Sequence, residues 1–320
     1  MSADRKDRGY SFADEGFLAR LERLHLIAKR LAARGPAGPR RSRRLGDGLE
    51  FADHRDYSPG DDIRFIDWPY YARMERLLLR MFHEHSEAAV AILLDCSASM
   101  APGVGEPGGP AWEKFHHARR VAAALACVAM GGLDRVVIRP FADSLAEPMI
   151  PGRSRARLPA VLGFLDGLVP EGMTNLRHGA ERLARKWSSP AGGAEVGTVL
   201  LISDLLDCGE DLSEALVRLG VAGGRDAGRD VVVVQVYSPA DRDPDLGGPV
   251  VLRHAETHGP LRVDVTEDLL AAYRRRFERF LDDCRRTCLS RLATYAEAPT
   301  DVPFQSLVLN TLRRAGVLTG

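Results

Sequence analysis

Three short segments carry oxygen-bearing side chains of the kind that hold a hard cation. Asp95-Cys96-Ser97-Ala98-Ser99 sets a carboxylate and two hydroxyls at alternate positions, Gly172-Met173-Thr174-Asn175 adds a hydroxyl, and Ile202-Ser203-Asp204 adds a second carboxylate. Asp95, Ser97, Ser99, Thr174 and Asp204 together form an oxygen-only donor set with no imidazole or thiolate. Such sets suit Mg²⁺, Mn²⁺ or Ca²⁺. Mg²⁺ is the first expectation, because it accepts few carboxylates and keeps several waters. With two carboxylates and otherwise neutral hydroxyls, the ion stays electrophilic enough to accept a carboxylate from another protein. The alternative chemistry is metal-dependent hydrolysis, in which the same cation activates water. That reaction needs a general base, for which Asp204, Asp207 and His178 are the candidates. A donor set of mostly neutral hydroxyls supplies no evident base, so a non-enzymatic binding role is expected. No Gly-x-Ser-x-Gly elbow accompanies the serines, and no Gly-x-x-x-x-Gly-Lys-Ser/Thr loop is present to cradle ATP.

What must bring these segments together is an alternation of strands and helices. Ala88 to Leu94 is an unbroken apolar run ending at Asp95, as in a strand buried on both faces. A helix is expected over 112–130, with Phe115, Ala118, Ala122, Leu125 and Ala129 on one face. A strand over Arg135 to Phe141, helices over 154–168 and 176–187, a strand over Thr198 to Ile202, a helix over 211–220 and a strand over Val231 to Tyr237 follow. Residues 261–265 could add a strand. Thr266 caps a long helix whose face reads Leu269, Leu270, Tyr273, Phe277, Phe280, Leu281, Cys284 and Cys288, before a short strand at 293–298 and a helix near 303–315. This order predicts an α/β fold: a doubly wound, mostly parallel sheet with helices on both faces. Ligands of such sheets bind beyond the carboxyl ends of the strands, which is where Asp95 and Asp204 fall.

The first third of the chain reads differently. Residues 1–13 are expected to be disordered. An amphipathic helix follows from Asp14 to Arg34, with Phe17, Leu21, Leu24, Ala28 and Leu31 at three- and four-residue spacing. Arg34 to Arg44 form a basic Gly/Pro loop, either a solvated connection or a docking patch. The stretch 45–85 interleaves acids and arginines with aromatics, and Ser58-Pro59-Gly60-Asp61 fits a type II turn. Its Arg55, Tyr57, Asp61, Arg64, Asp67 and Trp68 are either a structural clasp or a partner-binding surface. His83-Glu84-His85 is read as a partly exposed strand edge, and His116 and His117 as surface residues. The domain reading is 1–85 (helix, basic loop and clasp), 86–265 (the metal-bearing α/β domain) and 266–320 (long helix, strand and last helix packing on it).

Asp-x-Ser-x-Ser after an apolar strand, with a later Thr174 and a strand-end Asp204, resembles the metal-ion-dependent adhesion site of von Willebrand factor A-type (vWA) domains. The resemblance covers about 86–265. It implies that the hydroxyls of Ser97, Ser99 and Thr174 touch the metal, with Asp95 and Asp204 acting mostly through water. One departure is Ser203-Asp204-Leu205 where many such domains have Thr-Asp-Gly. Upstream, Arg55-x-Tyr57-x-x-Gly60-Asp61-x-x-Arg64-x-Ile66-Asp67-Trp68 and Ala72-Arg73, with the ending Thr294-Tyr-Ala-Glu-Ala-Pro-Thr-Asp301, is similar to the bacterial family called domain of unknown function 58. That resemblance implies a partner or substrate adaptor of a MoxR-type AAA+ ATPase, typically encoded beside it, with no assigned enzymatic activity. Long members of the family carry N-terminal membrane helices, so a soluble, cytoplasmic short form is expected here.

Composition bounds the rest. The 320 residues carry 44 basic and 44 acidic side chains and no net charge, which argues against a generic nucleic-acid binder. Arg40, Arg41, Arg43 and Arg44 lack interleaved aromatics on which bases could stack. A chain of this size buries roughly three-quarters of its unfolded surface, so no disulfide staples are needed. The five cysteines make no C-x-x-C pair and read as reduced, buried thiols. No apolar run approaches the roughly 20 residues of a membrane span. Met1 to Tyr10 contain no apolar core of a secretion signal.

Overall fold

The computed structural model describes residues 11–13, 16–32, 45–46, 50–58, 61–83, 89–102, 112–131, 135–152, 154–188, 196–206, 209, 211–220, 229–257 and 259–314. In chain order the elements are α1 (Phe17–Ala32), β1 (Leu45–Gly46), β2 (Glu50–Asp56), α2 (Trp68–Met74), β3 (Leu78–His83), β4 (Ala89–Asp95), α3 (Glu113–Gly131), β5 (Arg135–Phe141), β6 (Met149–Gly152), α4 (Leu158–Asp166), α5 (Leu176–Ser188), β7 (Val196–Ser203), α6 (Asp211–Gly220), β8 (Asp230–Tyr237), α7 (Pro239–Arg242), β9 (Gly248–Arg253), β10 (Pro260–Val265), α8 (Glu267–Ser290), β11 (Thr294–Pro299) and α9 (Phe304–Arg314). They divide into two compact units, one built from 1–35 and 89–320, the other from 36–88.

The larger unit is organised by β4, all of whose residues are buried. Val90, Ile92 and Leu94 join one apolar core with residues of α1, α3, α4 and α9, while Ala89, Ala91 and Leu93 join a second with residues of α5, α6 and α8. A strand apolar on both faces needs helices on both faces, and the period of two sorts its side chains between them. The sheet order is β11-β8-β7-β4-β5-β6. Its pairs are parallel except β5 with β6. The expected doubly wound α/β fold is therefore what forms.

Several local expectations change. Phe12 is fully buried and packs edgewise on Phe17, so the expected disorder fails at the end of the 1–13 stretch. His116 and His117 are buried, not on the surface, because α3 is covered by α1 and α9 as well as by the sheet. The strand at 261–265 exists, but it pairs with β9 as an antiparallel hairpin outside the central sheet. On α8 the Thr266 hydroxyl accepts from the Leu269 N–H as expected, and Phe277, Leu281, Cys284 and Cys288 are buried while Leu269 and Tyr273 stay exposed. Cys96, Cys127, Cys284 and Cys288 are buried free thiols. Among the described residues no helix is long and apolar enough to cross a membrane.

The smaller unit is a three-stranded antiparallel sheet, β1-β3-β2, with α2 inserted between β2 and β3. Asp67 starts α2, its Oδ1 accepting from the Tyr70 N–H at 3.0 Å, with Pro69 in the first turn where no amide partner is lost. The Asp61 N–H donates to the Ser58 carbonyl at 3.0 Å, closing the expected turn, whose central Pro59 and Gly60 lie outside the described residues. The basic loop 34–44 and the Glu84-His85 part of the histidine pair also lie outside them.

Candidate functional site

β4 and β7 are neighbours whose onward connections part: β4 leads through α3 to β5 on one side, and β7 leads through α6 to β8 on the other. This is a topological switch point, where diverging loops leave room above the strand ends. Asp95 is the last residue of β4, and Asp204 directly follows β7. Asp95 is fully buried. Its Oδ1 accepts from the Ser97 N–H at 2.9 Å, and its Oδ2 accepts from the Ser203 hydroxyl at 2.5 Å. Burial, reinforced by repulsion from Asp204, holds the Asp95 carboxyl well above the usual carboxylate range.

The Ser97 and Ser99 hydroxyl oxygens lie 3.0 Å apart. The Thr174 segment is tied to the same loop, with the Ala98 N–H donating to the Gly172 carbonyl at 3.0 Å and the Glu171 N–H to the Cys96 carbonyl at 2.8 Å. Gly172 adopts a φ of +81°, and a Cβ there would stand 3.4 Å from the Asp143 carboxylate, so a side chain would be strained at this junction. All three oxygen-bearing segments therefore lie at the carboxyl ends of the central strands β4 and β7.

Asp204 is 2 % exposed. Its Oδ1 accepts from the Leu206 N–H at 3.1 Å and its Oδ2 from Lys114 Nζ at 2.8 Å, while its carbonyl accepts from Gln235 Nε2 at 3.0 Å. Gln235 in turn accepts from the Tyr295 hydroxyl at 2.7 Å, tying the loop to β11. Leu205, at the departure from the Thr-Asp-Gly pattern, has a φ of +58°, a left-handed conformation that costs a non-glycine residue about 1–2 kcal/mol. Its side chain is fully buried in the core on the α5–α6 side, and its N–H donates to the Ser203 hydroxyl at 3.0 Å, which together offset that strain.

Sequence reasoning missed Lys114, Ser203, Gln235 and Glu256. The Thr174 hydroxyl and N–H both donate to Glu256 Oε1, at 3.0 and 3.1 Å, and Glu256 lies in the turn between β9 and β10. That turn is held by His254, whose Nδ1 lies 3.2 Å from the amide nitrogens of both Glu256 and Thr257. The signal for Lys114 was its rarity, since lysine is one of the scarcest residue types in an arginine-rich chain. Of the proposed bases, His178 is exposed and Asp207 lies outside the described residues.

Two features of the Asp95, Ser97 and Ser99 part of the donor set are compatible with a divalent ion. The Ser97 and Ser99 hydroxyls are hydrogen-bonded to each other at 3.0 Å, a spacing that two adjacent oxygen ligands at about 2.1 Å from Mg²⁺ would also have. The ionised form of Asp95 is also disfavoured where it stands, and a cation would relieve that. Among the described residues no group of three or more His, Cys, Asp or Glu side chains gathers, so any ion here depends on hydroxyls.

In the smaller unit the charged candidate residues pair with side chains of the same segment. Arg55 pairs with Asp61 at 2.7 Å, Arg64 with Asp62 at 2.6 Å, and Asp67 with His54 at 2.9 Å. Tyr57 is half-buried, and Trp68 is 54 % exposed with its ring edge-on to Tyr71.

Fold and site together define a doubly wound α/β protein with an oxygen-rich cluster at its switch point. The chain belongs to the family described as protein of unknown function DUF58, which matches residues 53–286. Uncharacterized proteins of Mycobacterium tuberculosis H37Rv and Mycobacterium bovis are each 26 % identical over 213 residues, 66 % of this chain. The match spans 62 % of the length of those relatives. Similar solved structures include an aerotolerance-related membrane protein from Bacteroides fragilis, at 17 % identity and TM-score 0.42, covering 72 % of this chain and 100 % of that one. BatB, a conserved hypothetical protein from Bacteroides thetaiotaomicron, follows at 16 % identity and TM-score 0.40, covering 72 % of this chain and 99 % of its own.

Proposed function

We propose that this chain is a non-enzymatic protein-interaction module that binds a partner's Asp or Glu carboxylate through a divalent metal, Mg²⁺ before Mn²⁺ or Ca²⁺, in the manner of a vWA adhesion site. Asp95, Ser97, Ser99, Thr174 and Asp204 would hold the ion. A bound ion would supply a Lewis-acidic centre with a position open to an outside oxygen. The residues around it do the orienting: Ser203 and the Ser97 amide fix Asp95, and Gln235 and Leu206 fix the Asp204 loop. The observation that carries this reading is that Thr174, one of the five residues, already donates its hydroxyl and its amide to a carboxylate, that of Glu256.

A MoxR-type AAA+ ATPase, or a client it remodels, is the proposed partner. Membership of the DUF58 family is what supports it, because the resemblance drawn from the sequence implies a partner or substrate adaptor of such an ATPase. The test is capture of a MoxR-type ATPase from the native host by the purified chain with Mg²⁺ present. Asp95→Ala, Ser99→Ala and EDTA are each expected to abolish capture while circular dichroism stays that of the wild type. Capture that survives all three overturns the proposal. Turnover of phosphodiester, phosphomonoester or peptide substrates that disappears in Asp204→Ala would replace it with a hydrolase.

A further inference from the structure

The buried carboxylates at the head of the sheet have a counter-ion built into the chain. Lys114, in the first turn of α3, is 3 % exposed. Its ammonium lies 2.8 Å from Asp204 Oδ2 and 3.5 Å from Asp241 Oδ2. Asp241 is fixed independently of this contact: in α7 it forms a capping box with Ser238, its N–H donating to the Ser238 hydroxyl at 3.1 Å and its Oδ2 accepting from the Ser238 N–H at 2.8 Å. The Tyr273 hydroxyl of α8 donates to the Asp241 carbonyl at 2.6 Å. Three elements distant in sequence thus deliver two carboxylates to one ammonium. An ammonium this deeply buried is costly unless its charge is matched. Burial alone would push the lysine down, but Asp204 and Asp241 outweigh it and hold the group above its ordinary range.

This arrangement bears directly on Asp204, both of whose carboxylate oxygens are already engaged from within the chain, by the Leu206 amide and by Lys114. A second cation beside Asp204 meets the first at short range in a poorly screened place, where like charges repel strongly. A lysine stem has four flexible methylenes, and a second carboxylate stands within reach of its head. We infer that Lys114 is a tethered cation that holds Asp204 when no divalent ion is bound, competes with that ion for the carboxylate, and retreats to Asp241 when the ion enters. Metal uptake then has a threshold set by the chain's own ammonium. This inference rests on the metal-binding reading above.

The experiment is calorimetric titration of Mg²⁺, and separately of Mn²⁺, into the full chain carrying Lys114→Met, Asp241→Asn or no change. Lys114→Met is expected to tighten ion binding by about tenfold or more, because a neighbouring like charge is gone. Asp241→Asn is expected to weaken it, because the displaced ammonium has lost its second seat. Lys114→Gln, which keeps a hydrogen-bond donor without the charge, serves in place of Lys114→Met if that variant does not fold. Wild-type uptake that Lys114→Met or Lys114→Gln leaves equal or makes weaker overturns the tethered-cation inference alone. No uptake by the wild type or any variant overturns the metal reading, and this inference falls with it.

Discussion

The segment 50–83 and the loops above β4 and β7 are both dense in charge, and they hold it in opposite ways. In the first, Arg64 and Asp62 stand two residues apart with side chains 80 % and 40 % exposed, and Arg55 reaches Asp61 six residues on. In the second, Lys114 and Asp204 are 90 residues apart and 3 % and 2 % exposed. Exposed local pairs can form as soon as a turn forms, and they are screened by salt. Buried distant pairs exist only once the sheet is assembled, and they stay strong because water is excluded. Electrostatic force that must act on a ligand therefore belongs to the second region. The first region's charges shape turns and caps, as Asp67 does at α2.

The largest test of that contrast is a buried cation away from the candidate site. Arg119 is fully buried in α3, its guanidinium 5.1, 5.7 and 4.7 Å from the ring centres of Phe12, Trp112 and Phe115. It donates to the carbonyls of Leu165 and Asp166 at 3.2 and 3.3 Å. Arg119→Ala should lower stability by about 3–5 kcal/mol in urea unfolding, through lost packing and orphaned acceptors. A loss below about 1 kcal/mol would mean that burial does not amplify these interactions.

Acid should act on the same helix. Burial holds His116 and His117 down at about 4, helped by Arg119 and Arg120 for the former and Arg120 for the latter. A depressed folded value means the unfolded chain takes up protons first. Stability is then fully present above about pH 6.5 and is lost as pH falls toward 4, at up to roughly 1.4 kcal/mol per pH unit for each histidine. His116→Gln with His117→Gln should flatten that slope between pH 6.5 and 4. An unchanged slope would assign the acid loss to other groups. Ser203→Ala ranks next. It strips a donor from the buried Asp95 carboxyl and an acceptor from the Leu205 N–H, and should cost about 1–3 kcal/mol in the same unfolding assay.

The two regions also differ in what a reader of the sequence could see. β4 and β8 announce themselves as apolar runs, and α1 and α8 by their spacing, because burial on a face imposes a period that neighbours in the chain share. Asp95, Ser97 and Ser99 were visible for the same reason, being adjacent at a strand end. Glu256 and Asp241 were not, since their contacts span 82 and 127 residues and leave no local pattern. β6 and β9 are short, contain Pro and Gly, and have mostly exposed or half-buried residues, so neither apolar alternation nor a continuous run marks them. His116 and His117 were misplaced because the second layer covering α3, made by α1 and α9, comes from the two far ends of the described chain.

The smallest expected effect is the sharpest check on the contrast. Arg64→Ala removes a short ion pair that rivals Lys114–Asp204 in length, 2.6 against 2.8 Å. Distance alone would rank the two together. Exposure separates them, because the Arg64 head already faces water that can replace Asp62 as its partner. The unfolding midpoint of Arg64→Ala should therefore coincide with that of the wild type at both low and high salt. Asp62 should still accept from the Arg64 backbone N–H, since that 3.0 Å bond needs no side chain at position 64. A clear, salt-sensitive drop in the midpoint would show that the charges of 50–83 act as a network rather than as separate pairs, and would favour the clasp over the partner-binding surface for that segment.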